Sequence, residues 1–151
     1  MSFFDKLKNA VSSTRDELTN QVSRFKNKKF MEGTIAVCAS ISMASNGASS
    51  EEKQKMVQFI QNSPELKVFK TEEVITFFNK LASNFEFDIE IGKGEAFKYL
   101  MALRDQPEAA QLALRVGIAV AKSDGDFDSK EQAMAKEICV ALNLDPASFQ
   151  L

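Results

Sequence analysis

Asp124, Asp126 and Asp128 alternate along five residues, and Glu131 follows a short way into the next segment. Carboxylates this crowded repel one another, each close pair costing about 1 kcal/mol even in water. A hard cation relieves that repulsion, and carboxylate oxygens with backbone carbonyls suit Ca²⁺ or Mg²⁺. The loop is not an EF-hand, whose Gly stands sixth and whose bidentate Glu stands twelfth. Counted from Asp124, Gly125 stands second and Glu131 eighth. The same residues also fit a role without metal. Acids ahead of a helix complement the positive end of its dipole. Asp128 and Glu131 have capping-box spacing, and Asp124 with Gly125 can stop the preceding helix. The residues alone leave both readings open. Asp88 and Glu90 form a further acidic element that alternates with Phe87, Ile89 and Ile91. If that stretch is extended, both acids point the same way. The alternative is a solvated face.

Little else in the chain could perform chemistry. There is no His, which removes the commonest general base and transition-metal ligand. Cys38 and Cys139 each sit inside an apolar run, where a thiol behaves as a small buried hydrophobe. The four Cys and His ligands of a structural zinc site are not available. No nucleophile elbow, phosphate-binding loop or dinucleotide fingerprint occurs, and no Cys-x-x-Cys pair serves redox work. The expectation is a protein that binds rather than turns over, not an enzyme.

The net charge of −2 hides an asymmetry. Residues 1–29 carry seven bases (Lys6, Lys8, Arg15, Arg24, Lys26, Lys28, Lys29) and three acids, a net of +4. The rest carries twelve bases and 18 acids, a net of −6. Phe4, Leu7, Val11, Leu18 and Phe25 fall on an alternating three–four grid, which predicts an amphipathic helix from about Phe3 to Phe25. With Phe3, Phe4, Lys6, Lys8, Lys26, Lys28 and Lys29 it fits a membrane-surface helix or a partner-binding helix. Docking on its own domain is the third option. The acidic body and the lack of a nucleic-acid fold signature argue against a nucleic-acid partner. No stretch reaches the ~18–20 apolar residues of a membrane span. MSFFDKLKNA carries neither a secretory h-region nor the Gly required for myristoylation, so the chain is expected to be cytoplasmic.

These features need a scaffold, and the sequence predicts a helical one. A chain of 151 residues is about one domain. At that size it buries roughly 68–70% of its unfolded surface, enough to fold without disulfide or metal. Helices are expected at Lys29–Ser45, after Ser49 (with Glu52 completing a capping box), and after a capping Thr71. Others are expected at Ala96–Leu103, Pro107–Lys122 and Asp128–Leu142, with a short turn at Asp145-Pro146 holding Phe149. Residues 85–95, FEFDIEIGKGE, read as an ordered loop. The division is an arm at 1–25 and a helical domain at 26–151. Residues 45–60 and 123–138 match at an offset of 78 in Ser, Gly, Gln, Met and Ile. Each copy reads as helix, tight turn, helix. The expected architecture is therefore all-α, a compact bundle of about seven helices with two pseudo-symmetric helical hairpins.

MSFFDKLKNA, NKKFMEGTIAVCA, SSEEKQKM, EIGKGE and RDQPEAAQLALRVGIAVAKSDGDFD resemble the TerB family of tellurite-resistance proteins. The resemblance spans essentially the whole chain and is strongest over 26–56 and 104–128. It implies the compact TerB fold, shared with a domain found beside certain J-domain cochaperones. It implies resistance to tellurite and other stresses by non-enzymatic action. The implied setting is a peripheral complex at the inner membrane with the integral membrane protein TerC and other tellurite-resistance proteins. The acidic loops are implied cation sites, Ca²⁺ foremost. The family's loop pattern is Asp-Gly with an acid seven residues after the Asp, which falls on Asp124, Gly125 and Glu131. In the first repeat Asn46 stands in place of that Asp and Lys53 in place of the last acid, with Glu51 and Glu52 beside it. The implied metal set is Asp124, Asp126, Asp128 and Glu131 with Asn46, Glu51 and Glu52, the second loop being the stronger. Two other functions compete. One is a metal-independent interaction module whose acids only cap helices. The other is a tellurite-processing enzyme, which would need a reactive thiolate or a cofactor.

Overall fold

The computed structural model describes residues 28–45, 70–122 and 127–151. These residues are all helical, without a strand. We number the helices α1 (Lys28–Ser42), α2 (Thr71–Phe87), α3 (Ile89–Leu100), α4 (Pro107–Lys122) and α5 (Ser129–Ala141). Short 3₁₀ turns follow at Met101–Leu103 and Pro146–Phe149.

α1 is the axis of the fold and packs against each of the other four helices. Eleven of its residues are buried, from Phe30 and Met31 through Gly33–Ile41. A helix apolar nearly all round belongs in an interior. α2 shows the one-sided pattern instead, with Val74, Phe77, Phe78, Leu81, Ala82 and Phe85 buried at three- and four-residue intervals. α4 begins with Pro107 and Glu108 and ends with Lys122. Pro suits the first helical position, and the two charges match the helix dipole. Half of its buried residues are small (Ala109, Ala110, Ala113, Gly117, Ala121), and it approaches α1 closely. A Cβ at Gly117 would lie 2.5 Å from Val37 Cγ1.

α5 opens on Asp128 and closes on Asn143. Asn143 has φ 59. Its N–H bonds Val140 O at 3.1 Å, and the Leu144 N–H bonds Cys139 O at 2.8 Å. This is a Schellman end with Asn in the left-handed position. The last turn is fixed by Asp145, whose side chain accepts the Ala147 N–H. Cys38 and Cys139 are both buried.

Several expectations are corrected. Residues 85–95 are not a loop. Phe85–Phe87 complete α2, and Ile89–Leu100 is α3. A single extended residue, Asp88 (φ −166, ψ 131), divides the two helices. α3 thus starts seven residues before Ala96, and its inner stripe is Gly92, Ala96 and Leu100. Asp88 and Glu90 do not share an extended face. Asp88 is the N-cap of α3, its Oδ1 accepting the Glu90 N–H at 2.8 Å and the Ile91 N–H at 3.1 Å. α2 starts at Thr71 itself, with Lys70 in the cap position. α1 ends at Ser42, before Ser45. The arm at 1–25 and the helix expected after Ser49 lie outside the described residues, as does the turn of the first hairpin. Five α-helices stand among the described residues, and the other two of the expected seven fall outside them.

Gly92 is the tightest point of the α2–α3 corner, since a Cβ there would lie 2.5 Å from the Phe85 Cα. Gly94, two residues on, faces open space. Gly92→Ala should therefore destabilise by about 1–3 kcal/mol through overpacking. Gly94→Ala should stabilise by about 0.5–1 kcal/mol, the helical gain of Ala over Gly. Urea unfolding of the two variants beside the parent checks both signs.

Candidate functional site

Asp128 and Glu131 form a complete capping box. Glu131 N–H donates to Asp128 Oδ1 at 2.8 Å, and Asp128 N–H donates to Glu131 Oε1 at 3.1 Å. The exchange satisfies donors that the first helical turn otherwise leaves unpaired. Glu131 is buried, with 7% of its surface exposed. A carboxylate this enclosed needs partners, and the capping bond is one of them.

The second oxygen of Asp128 reaches across the molecule. Ser45 Oγ donates to Asp128 Oδ2 at 2.5 Å. Ser45 lies just beyond α1 and Asp128 just before α5, 83 residues apart. The two segments matched by the internal repeat therefore touch here, the first residue of one bonded to a residue inside the other. The bond also holds the Asp128 carboxyl below the ordinary carboxylate range. The Ser45 hydroxyl is the largest cause and the Glu131 N–H the next. Hydrogen bonds to the charged form favour it.

A separate contact links the end of α4 to the residue before Asp128. The Lys122 ammonium lies 5.6 Å from the centre of the Phe127 ring. Gln132 Nε2 donates to Phe127 O at 2.9 Å. The last residue of α4 and the residue before Asp128 are thereby tied on both sides of the short acidic connection.

Of the metal set proposed from sequence, Asp128 and Glu131 are brought together here. Asp124, Asp126, Asn46, Glu51 and Glu52 lie outside the described residues. Among the described residues no three His, Cys, Asp or Glu side chains converge as a ligand group. The donors present fit a hard cation in kind, because Asp128 is kept as a charged carboxylate. Sequence reasoning missed Ser45. Its signal was its place at the start of the first repeat copy, where Ser123 opens the second. Elsewhere, Asp88 is taken up in capping α3 and Glu90 is exposed. Lys28 and Lys29 are exposed in the first turn of α1, where cations oppose the helix dipole. Phe3, Phe4, Lys6, Lys8 and Lys26 lie outside the described residues. No described helix is long and apolar enough to cross a membrane.

The sequence that builds this helical scaffold matches a known family. The sequence model for "Tellurite resistance protein TerB" covers residues 31–151. A relative from Alcaligenes sp., "Tellurium resistance protein TerB", is 70% identical over 118 residues, 78% of this chain and 97% of the relative. No solved structure matches the chain. The chain belongs to the TerB family of tellurite-resistance proteins, and that membership supports a role in tellurite resistance.

The sign of the Asp128 effect is fixed by its lowered pKa. A carboxyl depressed on folding adds stability above its unfolded pKa of about 3.9 and loses it as pH falls through the folded value. Asp128→Ala should cost about 1 kcal/mol at pH 7, the usual worth of an N-cap. The gap to the parent should shrink below about pH 4. Ser45→Ala should show a smaller gap with the same pH trend. Urea midpoints across a pH series measure both.

Proposed function

We propose that this TerB-family protein serves tellurite resistance as a non-enzymatic adaptor whose acidic junction binds a divalent cation, Ca²⁺ first. The observation that carries the reading is the Ser45–Asp128 bond, which joins the end of α1 to the start of α5 at a carboxylate held in its charged form. Asp124, Asp126, Asp128 and Glu131 would hold the ion, with Asn46, Glu51 and Glu52 as contributors from the first loop. The bound ion would supply positive charge that draws the two loops together. Asp128 has oxygen capacity for both tasks, since each carboxylate oxygen offers two lone pairs. The chain's own contribution is to pre-position Asp128 by capping and by Ser45, so that less ordering accompanies binding.

The adaptor would work in the cytoplasm, attached peripherally to a membrane complex containing TerC and other tellurite-resistance proteins. Phe3, Phe4, Lys6, Lys8, Lys26, Lys28 and Lys29 would provide the contact with partner or inner membrane surface. The exposed Lys28 and Lys29 at the dipole-opposed end of α1 support that assignment. The reading without turnover is supported by the thiols. Burial pushes Cys38 up to about 12 and Cys139 up to about 11. Thiols so raised carry almost no thiolate at neutral pH, and the thiolate is the reactive form.

Titration of the purified protein with Ca²⁺, followed by amide NMR, tests the cation site. Saturable shifts should centre on residues 124–131 and on Ser45, and should disappear in Asp124→Ala. Flat titrations at millimolar Ca²⁺ would return the junction to helix capping and favour the metal-independent interaction module. For the adaptor against the enzyme, the double variant Cys38→Ala/Cys139→Ala should keep cellular tellurite resistance at the parent level when expression is matched. Loss of resistance with the fold intact would revive thiol chemistry.

A further inference from the structure

We propose that the α2–α3 corner, residues 86–91, is a docking surface for a cationic amphipathic segment of a partner protein. Phe87, Ile89 and Ile91 are exposed at 81%, 43% and 48%. Single exposed hydrophobics are ordinary, but three within five residues make a patch of the kind that marks a contact surface. A Phe ring left so far in water adds little to the fold. It stands ready as an anchor, and buried aromatic anchors carry much of the binding energy of an interface.

The corner's geometry explains why these side chains face out. Phe85 and Gly92 press together on the inner side, where Gly92 leaves no room for a Cβ. Between them the chain turns at Asp88, the extended residue that divides the two helices. α3 sends Gly92, Ala96 and Leu100 inward, which leaves Ile89 and Ile91 off the buried stripe.

The charge around the patch selects its occupant. Asp88 and Glu90 are interleaved with the apolar three and are exposed. No base occurs within 86–91. Lys93, the next base along the chain, is ion-paired with Glu137 of α5. An anionic lipid surface and a nucleic acid are repelled by such a rim. A two-fold contact between copies at this corner would set the acids against their own sign. A partner that offers Lys or Arg beside apolar side chains meets both features, with apolar anchoring for affinity and charge for orientation. This surface is separate from the cation junction and from the contact assigned to Phe3, Phe4 and the lysines of residues 1–29, and it stands or falls without either. It would give the adaptor a second contact, opposite in charge to the first.

Amide NMR of the ¹⁵N-labelled full chain, titrated with a synthetic amphipathic peptide of Leu and Lys, tests the proposal. Saturable shifts should centre on residues 86–91, and the affinity should fall as salt is raised. Phe87→Ser should lower the affinity about tenfold or more, as the loss of an interface anchor does. Glu90→Lys should lower it about fivefold. Both positions are exposed, so neither change touches the core, and unchanged amide signals away from the corner verify the fold. The counterpart peptide with Glu in place of Lys should leave the corner unmoved. Absence of a saturable shift at 86–91 overturns the proposal, as do shifts spread over the whole surface. So does an affinity indifferent to both variants, or equal binding of the Glu peptide. Corner signals broadened by phosphatidylglycerol vesicles would overturn it in favour of a lipid surface. Corner shifts that follow protein concentration without peptide would overturn it in favour of a second copy.

Discussion

The structure depends on α1 being buried. Helices usually keep one face in water, but here eleven residues of a 15-residue helix are withdrawn from it. That is possible only if neighbours approach from several sides at short range. Gly117 admits Val37 and Gly33 admits Leu103 where any side chain would collide. Close approach maximises dispersion contacts, and interiors tolerate little slack. The position of α1 then fixes where its C-terminal end emerges. Ser45 is delivered to Asp128 because α1 is locked lengthwise between α2, α3, α4 and α5. The candidate site is therefore a consequence of core packing rather than of the loop sequences alone.

The junction also shows why capping and cation binding were hard to separate on residue type. Both use oxygen lone pairs close to a helix N-terminus, and both favour the ionised carboxyl. Asp128 and Glu131 spend one oxygen each on the box, and Asp128 spends its other on Ser45. These bonds keep the carboxylate oriented and charged, which is also the state a hard cation selects. The thiols sit at the opposite extreme. Enclosed in the core, they are held protonated, and their physical role is that of small apolar groups.

What was legible in the sequence was whatever local physics decides. The α4 start follows from Pro107 at the first helical position. The α5 start follows from Asp128 and Glu131, and the final turn from Asp145-Pro146. Residues 85–95 were misleading because apolar and acidic residues alternate there with period two. That alternation is produced by a helix end, a cap and a helix start in succession, with no strand behind it. The true helical signal, Gly92, Ala96 and Leu100, was masked because its first member has no side chain. Ser45 was out of reach for another reason. A serine at a helix end is common, and its partner lies 83 residues away, a distance no local pattern encodes.

That separation also bears on the order of assembly. The capping box of α5 joins residues only three apart and can form as soon as the helix nucleates. The Ser45 bond closes a much larger loop, and the entropy of closure is lost before the contact returns anything. Contacts of this kind tend to form late, after the transition state has gathered the more local packing. Loosening Ser45 should then leave the refolding rate almost unchanged and raise the unfolding rate. The bond between the end of α1 and the start of α5 is in that sense a clasp on the finished molecule, governing how long it stays closed more than how quickly it forms.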